Sequence, residues 1–147
     1  MWQAAGPRSV LIPNGLSAMG FGVPAAIAAR LTRPDRPVMA LVGDGGFAMT
    51  ATEMRIASAL GLPVTVVVFA DNSLNRIELR QQLMGYPPTA TRMDGMDLVR
   101  LAEAMDCDGV RVDSPAGLEK ALAGFGALSR PLIIEARIDP AQYATQF

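Results

Sequence analysis

The 147-residue sequence contains no histidine, and this absence narrows the chemistry that the chain can perform alone. Histidine is the side chain that most often serves as a general base or as a nitrogen ligand of a metal ion. Serine-histidine-aspartate hydrolysis and histidine-zinc centres are therefore excluded within this chain. Any metal ion that it binds must be held by oxygen atoms.

Cysteine is almost absent as well, since Cys107 is the only one. A single cysteine can form neither an intrachain disulfide nor a cysteine-rich metal site. The amino terminus also lacks the basic region followed by an apolar run that marks a secretory signal peptide. These features predict a reducing, cytoplasmic setting for the protein.

The sequence has no excess of positive charge. Its 13 lysine and arginine residues stand against 14 aspartate and glutamate residues, which leaves a formal net charge of -1. No basic block is present that could follow a phosphate backbone, so we expect no nucleic-acid partner.

Charged residues are missing altogether between Arg8 and Arg30, and this raises the question of a membrane span. Pro13, Pro24 and several glycines interrupt the stretch, and alanine provides much of its hydrophobicity. Both features favour a buried helix over a membrane-spanning one. We therefore expect no association with a membrane.

The remaining composition is that of a folded α/β protein. Hydrophobic residues make up 50% of the chain and charged residues 18%, which is too apolar for a disordered segment. The length suits one domain, which we place over residues 1–147, with residues 1–9 as a candidate flexible arm.

Short apolar runs alternate with amphipathic segments along the chain. Residues 63–69 give the strongest strand signal because β-branched residues dominate them. Thr50 and Glu53 have the spacing of a capping box that opens a helix, and Ser114 with Pro115 offers an N-cap and a first-turn proline. The predicted strands are residues 38–42, 63–69, 108–112 and 131–136, and the predicted helices are residues 50–60, 96–105 and 114–128. This alternation predicts a parallel β-sheet flanked by helices on both faces.

Polar residues follow two of the predicted strands at the point where each strand ends. Asp44 lies among Gly43, Gly45 and Gly46 after the first strand, and Asn72 follows the second strand 28 residues later. The carboxyl ends of parallel strands meet at one edge of a sheet, so Asp44 and the amide oxygen of Asn72 can converge on one cation. The glycines let backbone amides approach an anion closely.

Magnesium is the cation that this set of oxygen atoms favours. It prefers octahedral oxygen coordination and commonly shares its shell between one or two carboxylates, water molecules and phosphate oxygens. The amino end of the helix expected near Thr50 would face the same anion. Taken alone, however, a Gly-Asp-Gly sequence is common in loops that leave a strand.

The combination of Gly43-Asp44-Gly45 with Asn72 resembles the bipartite signature of the thiamine-diphosphate enzymes, in which Gly-Asp-Gly is followed by a paired Asn. Here the pair reads Asp71-Asn72, which keeps the second position, the one that the family uses as metal ligand. The resemblance implies that Asp44, Asn72 and the backbone carbonyl of Leu74 bind Mg2+, and that the domain holds the cofactor's diphosphate.

Residues 14–26 provide a second match, similar to the family's turn before the first helix. The resemblance assigns Met19 to the position of the apolar residue that wedges beneath the cofactor. It also implies that the Ser17 carbonyl and the Met19 amide meet the aminopyrimidine ring. The alternative is that Met19 is an ordinary core residue, since methionine fills irregular gaps well.

The resemblance runs from about residue 10 to the carboxyl terminus and is closest to acetolactate-synthase-like enzymes and 2-oxo-acid decarboxylases. It implies that the glutamate that activates the cofactor comes from a separate pyrimidine-binding domain or subunit. The glutamates of this chain, at positions 53, 78, 103, 119 and 135, each have a simpler structural explanation, so no catalytic residue is expected here. A small 2-oxo acid as substrate and a homo- or hetero-oligomeric state are implied as well.

Two alternatives to an acetolactate-synthase-like function stay open, namely a simple 2-oxo-acid decarboxylase and a non-catalytic module that only holds the cofactor. A dinucleotide-binding domain is disfavoured because no Gly-x-Gly-x-x-Gly follows the first strand. After Asn72, the charges of Arg76, Glu78 and Arg80 are interpreted as a solvated helix face with paired charges. Alternatively, one of the arginines faces a substrate carboxylate. Residues 86–88, Tyr-Pro-Pro, suggest an ordered loop nearby.

Overall fold

The computed structural model describes residue 4 and residues 6–145, apart from the side chains of residues 142, 144 and 145. The candidate arm at residues 1–9 lies partly outside these residues and stays a prediction. The helices are α1 (Gly22–Thr32), α2 (Asp44–Thr50), α3 (Met54–Ala59), α4 (Asn75–Leu83), α5 (Leu98–Ala104) and α6 (Pro115–Leu122). The strands are β1 (Val38–Gly43), β2 (Val64–Ala70), β3 (Asp108–Val112) and β4 (Leu132–Arg137). Short 3-10 turns span Ala51–Glu53 and Pro140–Thr145.

The four strands form one parallel sheet in the order β1-β2-β4-β3. Every predicted strand is confirmed to within one residue at each end. Strand β2 was predicted correctly because it is a β-branched apolar run that begins after a proline, the pattern of a central strand buried on both faces. The edge strand β3 contains Asp108 and Arg111 and is only partly buried, so it does not follow that pattern. All loops that follow these strands therefore leave from the same edge of the sheet.

Helices cover both faces of the sheet, as predicted. On one face, Val64, Val66 and Val68 of β2 pack with apolar residues of α1, α2, α3 and α5. On the other face, Val67 of β2 joins Ile134 of β4 and apolar residues of α6. The alternation follows from the two-residue period of side chains along a strand.

The predicted start of the helix over residues 50–60 is wrong. We expected Thr50 and Glu53 to form a capping box, but α2 already begins at Asp44, directly after β1. Neither residue makes a side-chain cap, and the Thr50 hydroxyl instead donates to the Gly20 carbonyl at 3.2 Å. A tertiary contact to the segment before α1 thus replaces the local capping interaction. The helix amino end at the strand edge is consequently that of Asp44.

The later elements are closer to expectation. Ser114 caps α6 by accepting a hydrogen bond from the Gly117 amide at 3.3 Å, with Pro115 in the first turn. The helix ends at Leu122 rather than near residue 128, because Gly126 adopts a φ of +108° that a right-handed helix cannot continue through. Helix α5 confirms the segment predicted over residues 96–105.

No helix in the described part of the chain combines the length and the apolar character needed to cross a bilayer. The uncharged stretch before Arg30 instead forms α1, whose Val23, Ala26 and Ile27 are buried against the sheet.

Candidate site for a metal and a diphosphate

Asp44 connects two segments at this edge of the sheet. The first loop, residues 43–46, runs from the end of β1 into the first turn of α2, and the second loop, residues 71–74, joins β2 to α4. One carboxylate oxygen accepts a hydrogen bond from the Gly45 amide at 2.8 Å. The other accepts from the amides of Asn72 at 2.7 Å and Asp71 at 3.2 Å. The structure therefore brings Asp44 and the backbone of Asn72 together at one edge of the sheet, while the convergence of the Asn72 amide oxygen on a shared cation stays a prediction.

The Asp44 side chain is buried, with a relative exposure of 8%. Burial is the largest influence on the pKa of Asp44 and raises it, the amides of Asn72 and Gly45 lower it, and the nearby charge of Asp71 raises it again, so the net pKa lies above its usual value. Among the described residues, no arginine or lysine forms an ion pair with Asp44. A carboxylate has about four acceptor positions, and three amides leave room for one further partner.

Asn72 has a backbone φ of +59°, in the left-handed region that asparagine tolerates better than most residues. The backbone N–H of Asn72 donates to the Asp44 carboxylate, and the residue is exposed at the sheet edge. Asp71, which the resemblance places at the first position of the paired asparagines, accepts hydrogen bonds from the Ser73 amide at 2.9 Å and the Ser73 hydroxyl at 3.1 Å. A short acceptor side chain at this position stabilises the turn, and an aspartate serves that purpose as well as an asparagine.

The Leu74 carbonyl, the third predicted metal ligand, already has partners. It accepts the amides of Ile77 at 2.9 Å and Glu78 at 3.0 Å and so begins α4. A metal ion bound there would share this oxygen with the first turn of the helix. The assignment of Leu74 as a ligand stays a prediction from the resemblance.

Met19 reaches the first loop from the segment before α1. A Cβ atom placed on Gly45 would lie 2.5 Å from Leu74 Cδ2 and 3.3 Å from Met19 Cε, so both side chains pack closely over this glycine. Met19 as a whole is 46% exposed, which argues against an ordinary core residue. Ser17, with a φ of +49°, lies on the exposed loop before it.

Gly43 and Gly46 complete the first loop. Gly43 is the last residue of β1 and the extended N-cap of α2, and a Cβ placed on it would meet no neighbour. Gly46 faces the Gly20 amide, which a Cβ would approach to 3.6 Å. The structure thus brings together Met19, Leu74 and the loop residues 43–46, whereas Ser17 stays on the surface.

The neighbouring part of the same edge carries an ion-pair network. Glu135 of β4 accepts from Arg111 at 2.7 Å and from Arg137 at 3.2 Å, and Arg111 also binds Asp97 at 3.1 Å. Burial alone raises the pKa of Glu135, but the hydrogen bonds from Arg111 and Arg137 outweigh it and the pKa lies below its usual value. These groups and Asn72 line an open cavity of about 500 Å³.

Several residues near the site were missed from the sequence. Glu78, interpreted as part of a solvated face, is buried at 6% exposure, so that interpretation is wrong for this residue. The pKa of Tyr143 is raised, first by burial and then by the charges of Asp71 and Asp44, which places its ring within electrostatic reach of the site. Asn75 has a buried side-chain oxygen for which the described residues offer no hydrogen-bond partner. Only sequence-distant contacts create these environments, so no local pattern indicated them.

The donor set suits a hard cation. The described residues include no cluster of three or more histidine, cysteine, aspartate or glutamate side chains that could enclose a metal without further ligands. The buried Asp44 carboxylate accepts three backbone amides and has no cationic partner among the described residues, so most of a coordination shell is left to other oxygen atoms, as Mg2+ prefers when it binds phosphates. The residues present therefore fit a magnesium-diphosphate group.

Comparison with known proteins agrees with this geometry. Residues 1–136 match the family described as thiamine pyrophosphate enzyme, C-terminal TPP binding domain, thiamine pyrophosphate being another name for thiamine diphosphate. A probable acetolactate synthase large subunit of Methanococcus aeolicus is 33% identical over 147 residues, which cover 95% of this chain and 24% of that protein. An acetolactate synthase of Bacillus subtilis (strain 168) is 34% identical over 134 residues, covering 90% of this chain and 23% of the relative.

A solved structure is similar as well. The thiamine diphosphate-dependent 4-hydroxybenzoylformate decarboxylase of Rhodococcus jostii RHA1 superposes with a TM-score of 0.78 at 29% identity, over 82% of this chain and 23% of that protein. The chain thus spans about a quarter of the length of these relatives. It belongs to the thiamine diphosphate enzymes, as a C-terminal TPP-binding domain.

Proposed function

We propose that this domain binds the diphosphate of thiamine diphosphate through one Mg2+ ion held by Asp44, Asn72 and the carbonyl of Leu74. The observation that carries the proposal is the buried Asp44 carboxylate, which has amide partners from both loops but no cationic side chain among the described residues. A bound cation would supply the missing positive charge. It would also bring the diphosphate against the glycines at 43, 45 and 46, where backbone can approach closely.

The other half of the cofactor is assigned to the segment before α1. Met19 lies against Gly45, so an apolar group there would stand directly beside the diphosphate loop. We propose that Met19 supports the cofactor from below and that the Ser17 carbonyl and Met19 amide contact its aminopyrimidine ring. The chemistry that the cofactor supplies when bound is the cleavage or formation of a carbon–carbon bond next to a carbonyl group.

The activating glutamate is proposed to come from a separate pyrimidine-binding domain or subunit. Two buried glutamates of this chain are already engaged, Glu135 with Arg111 and Glu78 with Thr91 and Arg92. The segment before α1 also exposes large apolar side chains, with Leu16 at 95%, Met19 at 46% and Phe21 at 42% exposure. Such a surface supports an interface with a partner domain or a second subunit. A homo- or hetero-oligomer and a cytoplasmic location stay part of the proposal.

The reaction proposed for the complete assembly is decarboxylation of a small 2-oxo acid, with ligation of the product to a second carbonyl compound. The acetolactate synthases among the relatives favour ligation. The similarity to a decarboxylase structure keeps simple decarboxylation as the second candidate. Product analysis of the complete assembly with a 2-oxo acid distinguishes the two, since only ligation yields a product longer than the aldehyde.

The proposal is tested by calorimetric titration of thiamine diphosphate into the purified chain with and without Mg2+, and into Asp44→Ala and Asn72→Ala. We expect binding that requires Mg2+ and is lost in both variants. If no form binds, the titration is repeated with a pyrimidine-binding partner present. Absence of binding with the partner as well contradicts the proposed metal site. Binding that is unaffected by Mg2+ and by both substitutions contradicts it too. Restored turnover with the partner excludes the non-catalytic alternative.

A further inference from the structure

A segment that the sequence did not single out runs alongside the second loop of the site. This segment, residues 91–95, is called the strap below. The Leu74 amide donates to the Thr91 carbonyl at 2.7 Å, and the Met93 amide donates to the Asn72 carbonyl at 2.9 Å. Between them, Ser73 and Arg92 form an antiparallel bridge. The strap and the second loop therefore form a short two-stranded ladder.

The ladder fixes Asn72 from one side while Asp44 fixes it from the other. The Asn72 amide donates to the Asp44 carboxylate at 2.7 Å, and its carbonyl accepts from Met93 in the strap. Its φ of +59° is a strained conformation for a residue with a side chain, and such a conformation persists only where surrounding contacts enforce it. The strap supplies one of the two backbone contacts that do so.

The side chain of Asn72 also meets the strap. A Cβ atom on Gly95 would lie 3.3 Å from Asn72 Oδ1 and 3.5 Å from Nδ2. That separation is tighter than a comfortable contact, so any side chain at position 95 would push on the amide group. Gly95 thus leaves the space in which the Asn72 amide is oriented.

Glu78 holds the strap in place. Its side chain, buried at 6% exposure, accepts the Thr91 hydroxyl at 3.1 Å and the Arg92 guanidinium at 2.6 Å. Thr91 itself is 2% exposed. A buried carboxylate with two donors from one segment is a specific connection, because loss of either partner leaves a desolvated polar group. Since the Glu78 amide also bonds to the Leu74 carbonyl, one residue connects α4, the strap and the second loop.

We infer that Glu78 and Thr91 are positioning residues, which act through the strap to set the backbone and the amide orientation of Asn72, and that Gly95 keeps this orientation free of steric pressure. The inference rests on the proposed function insofar as Asn72 binds the metal. The placement of Asn72 by the strap is independent of any ligand. The Glu78 side chain bonds to Thr91 and Arg92 of the strap, and its backbone amide bonds to the Leu74 carbonyl, the proposed third ligand.

Amide hydrogen exchange in the cofactor-free chain tests the placement. In Glu78→Ala, we expect exchange at Leu74 and Met93 to accelerate at least about tenfold relative to the core amides of Val66 and Ile134, the factor expected for loss of a charge-assisted hydrogen bond. Glu78→Gln retains an acceptor for Thr91 and should recover part of the protection. The exposed Glu103→Gln is the matched control. Acceleration shared equally with the core, or none at all, overturns the inference.

Metal binding tests the consequence for the site and covers the case in which Glu78→Ala fails to fold. Gly95→Ala is conformationally mild, and we expect it to weaken Mg2+-dependent binding of thiamine diphosphate about 10- to 100-fold, as disturbing a ligand's support usually does. Gly124→Ala, where a Cβ would meet nothing, is its control and should bind normally. Unchanged affinity in Gly95→Ala overturns the inference. If the wild-type chain does not bind thiamine diphosphate, either alone or with a partner, the proposed metal site is wrong. Hydrogen exchange in Glu78→Gln and Gly95→Ala then still tests the role of the strap.

Discussion

Two buried carboxylates lie at the same edge of the sheet and are neutralised in opposite ways. Glu135, at 3% exposure, faces two arginines, and their hydrogen bonds outweigh the effect of burial and hold its pKa below the usual value. Asp44, at 8% exposure, has only backbone amides as partners among the described residues, and burial holds its pKa above the usual value. The charge of Glu135 is balanced by arginines of the same chain, whereas the charge of Asp44 can be balanced by a bound cation.

This difference distinguishes a carboxylate with a structural role from one that can bind a ligand. An acidic group that is fully paired by its own chain has little capacity left for a ligand, and removing one of its partners would leave an uncompensated buried charge. An acidic group whose burial is unfavourable in the ligand-free chain regains that free energy when a cation binds. Perturbed carboxylates of the second kind are the better guide to a site.

The largest expected effect is on stabilisation by ligand. Saturating Mg2+ and thiamine diphosphate should stabilise the wild type and Glu135→Gln alike, by about 2.7 kcal/mol at a concentration 100 times the Kd. Asp44→Asn should gain almost nothing, because the charge that attracts the cation is gone. Thermal unfolding with and without both ligands measures this, with a partner domain added if binding requires it. Equal stabilisation of Asp44→Asn would remove the distinction between the two carboxylates.

A smaller effect is expected from closing the space beside Asp44. Gly45→Ala places a Cβ 2.5 Å from Leu74 Cδ2 and 3.3 Å from Met19 Cε, so the ends of these two side chains must move. Overpacking of this kind usually costs about 1–3 kcal/mol of unfolding free energy. Urea denaturation would measure it against Gly124→Ala, where the space is open. If the loss of unfolding free energy is no greater than in the control, the Leu74 and Met19 side chains accommodate the added methyl group without cost.

The pH dependence of stability should have opposite signs for the two carboxylates. Glu135 stabilises the fold fully above its ordinary pKa of 4.5, and this contribution is lost as the pH falls through its lowered native pKa. Asp44 destabilises the fold as the pH rises from its ordinary pKa of 3.8 through its raised native pKa.

The unfolding free energy of the metal-free wild type, relative to each variant, gives the test. Relative to Glu135→Gln, the wild type should gain stability as the pH rises from acid through 4.5. Relative to Asp44→Asn, it should lose stability as the pH rises above 3.8. Curves of the same sign would mean that Asp44 is satisfied by its amides alone.

The smallest effect concerns the outer end of the Glu135 network. Asp97 caps α5 through the Arg100 amide at 3.2 Å and also pairs with Arg111 at 3.1 Å. Asp97→Ala should cost about 1 kcal/mol, chiefly as a lost N-cap, because the ion pair is exposed to solvent. Ser114→Ala removes a cap without an ion pair and should cost a similar amount. A clearly larger loss for Asp97→Ala, seen in chemical denaturation, would assign real energy to the ion pair.

Much of the fold could be predicted from local pattern. The central strand β2 was correct because an apolar, β-branched run between proline and a polar loop rarely forms anything else, and the α6 cap at Ser114 was correct because its partner lies three residues away. The capping box at Thr50 was wrong because the hydroxyl binds Gly20, which lies 30 residues earlier. Arg76, Glu78 and Arg80 read as one solvated face, but Glu78 is buried by the strap, which no helical period could indicate.

The sequence by itself determined the alternation of strands and helices, the oxygen-only character of any metal site and the placement of Asp44 and Asn72 after neighbouring strands. These follow from residue type and short-range spacing, which the chain carries before it folds. Only the tertiary structure decided that Asp44 is buried with no cationic partner in the described part of the chain while Glu135 is paired, and that the strap at residues 91–95 fixes Asn72. Burial and pairing depend on which distant segments come together, and that is a property of the packed sheet edge rather than of any local run of residues.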